Sequence, residues 1–75
     1  MKIRTVNYCQ NKILNELQKQ KNLNLIELVS KVLGPSHYNV ESETNFDMAV
    51  EFLVIGRMIK IFKNKNNLTT YSQAA

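Results

Sequence analysis

The sequence predicts an α+β, mainly helical fold in which three helices are followed by a C-terminal β-hairpin. Three observations carry that prediction. Apolar residues recur at helical spacing in three stretches before residue 56. Gly34, Pro35 and Gly56 punctuate the second and third of them. Beyond Gly56 the pattern changes to short runs on either side of an asparagine-rich turn.

The first stretch, VNYCQNKILNELQKQ, places Val6, Cys9, Ile13 and Leu17 near one helical face, with Leu14 at its edge. Lys12, Glu16 and Lys19 stand opposite and are spaced to pair across one turn. The expected helix covers residues 6–20. In NLNLIELVSKVLG, Asn24 and Glu27 form a capping-box pattern at the helix start. Leu25, Leu28, Val29, Val32 and Leu33 then make one stripe with Ile26 at its edge, and Glu27, Ser30 and Lys31 fill the opposite face. Gly34 and Pro35 end this helix, because glycine accepts positive φ and proline cannot continue.

PSHYNVESE reads as a polar connection, with Tyr38 and Val40 expected to tuck against the body. Thr44 is the expected cap of the third helix, with Asp47 three residues on and Glu43 near its positive end. Phe46, Ala49, Val50, Leu53 and Val54 cover one broad face of that helix. Met48, Phe52 and Ile55 cover a second, and only Asp47 and Glu51 define a polar strip before Gly56 ends the helix. In RMIKIFK, Ile59 and Ile61 share one strand face while Lys60 and Phe62 share the other. Asn64 to Asn67 make the turn, LTTY returns as a strand, and residues 72–75 are expected to fray. If NLN supplies a short strand between the first two helices, the layout is that of a single winged-helix domain over residues 1–75. A three-helix domain with a C-terminal arm is the structural alternative.

A chain of 75 residues has room for one small core, which must pack efficiently or be completed by a partner. It has no run of 18 apolar residues to cross a membrane and no apolar core in MKIRTVNYCQNK to act as a secretory signal. A cytoplasmic location is expected. The single cysteine, Cys9, has no internal disulfide partner and reads as a small buried hydrophobe. The single histidine, His37, has no metal-ligand spacing around it and reads as a loop residue. No nucleophile with its base, no phosphate-binding loop and no metal set is present, so no enzyme activity and no cofactor are expected.

The net charge of +4 is unevenly distributed. Residues 41–51 carry Glu41, Glu43, Asp47 and Glu51 with no base, whereas Arg57, Lys60, Lys63 and Lys65 follow with no acid. Two carboxylates on the third helix oppose its docking in a phosphate-lined groove, and Asn45 alone is suited to reading a base there. The four bases of the hairpin, with Phe62 and Tyr71 near them, form the candidate nucleic-acid contact.

Met48, Phe52 and Ile55 raise a different question. Burying each would contribute roughly 1.5–3 kcal/mol, a sum comparable with the whole stability of a small domain. Either the third helix is central and covered on both faces, or its second face docks on another chain, including a second copy of this one.

The run AVEFLVIGRMIKI resembles the A-L-x-F-L-x-x-L-G-x-I motif of the small middle component of bacterial ABC-three-component systems, anti-phage assemblies of which Lamassu is one type. Ala49, Phe52, Leu53, Gly56 and Ile59 match it; Val50 replaces the usual Leu, and Ile55 stands where the pattern has Leu. LIELVSKVLG is similar to the helix that precedes the motif. The resemblance implies a non-catalytic winged-helix subunit that binds an SMC-like ABC ATPase or its effector. The alternative is a small winged-helix DNA-binding transcriptional regulator, a phage-borne one included; an antitoxin or phage inhibitor would share the same sequence features.

Overall fold

The computed structural model describes residues 3–34 and 39–74. Along the chain, α1 (Val6–Lys19), β1 (Asn22–Asn24), α2 (Leu25–Leu33), α3 (Val40–Ile55), β2 (Ile59–Lys63) and β3 (Thr69–Gln73) follow one another. The strands form one antiparallel sheet in the order β1-β3-β2. Three helices, a short strand after the first of them and a C-terminal hairpin make the layout of a winged helix.

Local chemistry starts and stops these elements. Thr5 accepts the Tyr8 N–H at the head of α1. Asn24 ends β1 and caps α2: its Oδ1 accepts the Glu27 N–H at 2.9 Å, while Glu27 Oε1 accepts the Asn24 N–H at 3.2 Å. Gly34 closes α2 with φ of 54°, a conformation costly for any residue with a Cβ.

α3 begins five residues before the position expected from Thr44. Asn39 is the cap, accepting the Ser42 N–H at 2.8 Å, and Thr44 lies inside the helix with its hydroxyl donated to the Val40 carbonyl. Asparagine caps at least as well as threonine, nothing in residues 40–44 breaks a helix, and Glu41 and Glu43 favour its first turn. Val40, expected to tuck inward, is instead exposed. Tyr38 and His37 lie outside the described residues.

At the other end Gly56 is the cap as expected, yet it keeps right-handed dihedrals and the left-handed residue is Arg57, with φ of 59°. Arg57 donates its N–H to the Val54 carbonyl at 3.0 Å, and Met58 donates to Leu53 at 2.9 Å, the paired bonds of a Schellman ending. A Cβ on Gly56 would stand 3.3 Å from the Phe52 carbonyl oxygen, a tight contact. Relief of the left-handed strain, offset by the greater freedom of glycine in the unfolded chain, makes Arg57→Gly stabilising by about 0.5–1 kcal/mol. A rise in the urea midpoint at constant m-value checks this.

The core joins all three helices to the inner face of the sheet. Cys9, Ile13 and Leu17 from α1 meet Leu28, Val32 and Leu33 from α2 and Phe46, Ala49, Val50 and Leu53 from α3, with Leu23, Ile59 and Tyr71 below them. Val54, expected within the α3 core face, lies at its rim and is 38% exposed. Leu23 pairs with Tyr71, and Tyr71 with Ile61, so these three share the inner face. Tyr71 is therefore a core residue and not part of a nucleic-acid surface. Burial first, and the charge of Asp47 second, push its hydroxyl pKa up.

The expectation of a frayed end from residue 72 is corrected as well. Ser72 pairs with both Asn22 and Lys60, and Gln73 with Ile59, because β3 is the central strand and has ladder partners on both sides.

Glu16 departs from its expected place on the solvent face. It is buried, with Lys12 Nζ at 3.2 Å and Lys19 Nζ at 3.6 Å from its Oε2. The hydrogen bond from Lys12 holds its carboxyl below the usual carboxylate range, with the charges of Lys19, Lys12 and Lys31 acting in the same direction and burial opposing them. A carboxyl whose pKa falls on folding adds stability that is present above its unfolded pKa and lost as pH drops through the folded value. Glu16→Gln is accordingly expected to narrow the difference in urea midpoint between pH 7 and about pH 3.

Candidate interaction surface

Helical spacing sets Met48, Phe52 and Ile55 one above another on α3, and the fold leaves all three uncovered. Their exposures are 41%, 49% and 70%. Among the described residues, therefore, no element covers this second face of α3. The hairpin follows α3 without lying over this stripe. Met58, 50% exposed just past the turn, adds a further apolar side chain to the surface.

Charge borders the stripe. Glu41, Glu43, Asp47 and Glu51 are all exposed on α3. Asn45, considered as a base reader, is engaged elsewhere: its Nδ2 donates to the Arg4 carbonyl at 2.9 Å, and the Arg4 N–H donates to the buried Ser42 hydroxyl at 2.9 Å. These two bonds stitch the segment before α1 along the first turns of α3. The Arg4 guanidinium lies 4.7 Å from the Tyr8 ring centroid in a cation–π contact.

Arg57, Lys60, Lys63 and Lys65, the nucleic-acid candidates, are all exposed on the hairpin and the turn leading to it. The structure brings them near one another in the chain but does not supply the two aromatics expected beside them. Phe62 is 39% exposed on the outer sheet face, whereas Tyr71 faces inward. Lys63 donates to the Thr69 hydroxyl across the hairpin at 3.0 Å. Among the described residues, the ion pairs are those of Glu16 with Lys12 and Lys19, so the acids of α3 and the bases of the hairpin do not pair with each other.

A second apolar patch went unread in the sequence. Leu25 and Ile26, at the start of α2, and Leu68, beside the turn of the hairpin, are exposed and line a shallow depression of about 220 Å³. Leu25, expected within the core stripe of α2, is the first residue of that helix and is 40% exposed.

Cys9 is fully buried, and burial pushes its thiol pKa up while the charge of Arg4 acts in the opposite direction, which makes it a packing residue and a poor nucleophile. Among the described residues no group of three histidine, cysteine or acidic side chains comes together to hold a metal ion. Nor is any helix there long and apolar enough to cross a membrane.

No protein-family model matches the chain, and no curated protein matches it in sequence. The residues behind the resemblance divide into two groups by burial. Ala49, Val50, Leu53 and Ile59 are core residues, and Gly56 is the helix cap, so the fold accounts for each of them. Phe52 and Ile55 have no such account: they are large, apolar and exposed.

Proposed function

We propose that this chain is a non-catalytic accessory subunit that docks through Met48, Phe52 and Ile55 on a larger protein. The resemblance of AVEFLVIGRMIKI directs the reading to an SMC-like ABC ATPase or its effector in a bacterial anti-phage complex, with the chain in the cytoplasm. The observation that carries it is the exposure of Phe52 and Ile55 on a helix whose other face already supplies the core. Apolar side chains in water at consecutive helical turns favour a helix-in-groove contact.

Co-expression with the proteins encoded beside this chain tests the reading. A stable complex with an SMC-like ATPase, or with the effector, is the expected result. Neighbouring genes that encode neither, or an ATPase that purifies without this chain, would overturn it.

A second reading, a DNA-binding regulator, has the four exposed bases of the hairpin in its favour. The acids on α3 and the engagement of Asn45 by Arg4 weigh against reading bases with that helix. Sequence-specific retardation of a DNA duplex would establish this reading over the first; retardation that disappears with moderate salt would mark only a phosphate contact.

A further inference from the structure

We propose that a second copy of this chain occupies the α3 face, in a two-fold arrangement that sets the acidic, apolar α3 of each copy against the basic, apolar β2 of the other. The proposal rests on reading Met48, Phe52 and Ile55 as an interface, and it names an occupant that the larger partner would displace.

Charge complementarity carries it. α3 exposes Glu41, Glu43, Asp47 and Glu51 and no base, while residues 57–65 expose Arg57, Lys60, Lys63 and Lys65 and no acid. No ion pair among the described residues joins the two sets. Each set lies beside exposed apolar side chains: Met48, Phe52 and Ile55 on α3, and Met58 just before β2 with Phe62 next to Lys60 on the outer face of that strand. A molecule that carries both halves of a complementary pair, each unmatched internally, finds matched chemistry in its own copy.

The symmetry follows from the same charges. Pairing α3 with α3 would set acids against acids, and extending the sheet edge to edge through β2 would bring the lysines of two edge strands together. An isologous contact of α3 with β2 compensates both sets, and it does so twice. The turn at Gly56–Met58 joins the two elements within each copy. Arg57 adds support: its left-handed backbone would be relieved by glycine, which fits a guanidinium kept for a contact outside its own chain.

Sedimentation of the full chain at concentrations up to about 0.5 mM tests the proposal. Wild type should pass from monomer to dimer with rising concentration, and added salt should weaken the dimer. Asp47→Lys with Glu51→Lys, and separately Lys60→Glu with Lys63→Glu, should each weaken self-association at least about tenfold. Mixed in equal amounts, these two variants should form a heterodimer, because each α3 then meets a β2 of opposite sign. All four positions are exposed, and circular dichroism verifies that the fold is kept; Phe52→Ser provides a further variant that should be monomeric without any change of charge. A wild type that stays monomeric, a dimer indifferent to the reversals, or a mixture that fails to associate would each overturn the proposal. A wild type that never dimerises yet binds the ATPase removes this proposal and leaves the proposed function standing. A dimer that binds neither the ATPase nor the effector does the reverse.

Discussion

Leu53→Ala is expected to cost about 2–5 kcal/mol of folding stability, whereas Phe52→Ala, one residue away, should change it by about 0.5 kcal/mol or less. Leu53 is 3% exposed and sits in the cluster that joins the helices to the sheet. Truncating it removes buried methyl groups and leaves a cavity that packed neighbours fill only in part. Phe52 is 49% exposed, so the chain alone gains little from its ring. Urea denaturation of the two variants checks the contrast directly. If Phe52→Ala cost as much as Leu53→Ala, Phe52 would be a core residue and the surface described above would not exist.

The second large effect concerns binding. Phe52→Ser combined with Ile55→Ser should lower affinity for the larger partner by about a hundredfold or more, the loss expected when two central apolar anchors are removed from an interface. Stability should stay close to that of wild type, because neither side chain supports the core. Co-purification with the ATPase or effector and a melting curve on the same sample separate the two effects. Retention of the partner by a folded double variant would move the docking site elsewhere, with the exposed patch of Leu25, Ile26 and Leu68 as the next surface to test.

α3 combines four exposed acids with an apolar stripe, and both features suit a protein surface better than the major groove of DNA. The bases on the hairpin are compatible with a phosphate contact made alongside such docking.

The sequence by itself determined those elements that are held by neighbours in the chain. The capping box of Asn24 and Glu27, the stop at Gly34, the asparagine-rich turn and the amphipathic stripes of α1 and α2 all depend on contacts within a few residues, and each was legible. Local pattern also grouped Met48, Phe52 and Ile55 on a second face of α3 but left open whether the chain itself covers that face. It did not distinguish Asn39 from Thr44 as the cap of α3, since both residue types cap and no breaker lies between them.

Only the tertiary structure decided what depends on residues distant in the chain. It set Tyr71 inward through its register with Leu23 and Ile61, and it ordered Ser72 by pairing β3 on both sides. It buried Glu16 together with the charges that hold its proton off, and it took up Asn45 with the Arg4 carbonyl 41 residues away. It also decided that nothing in the described chain covers Phe52 and Ile55. The physical reason is that periodicity shows which side chains share a face, whereas burial depends on which other elements pack against that face.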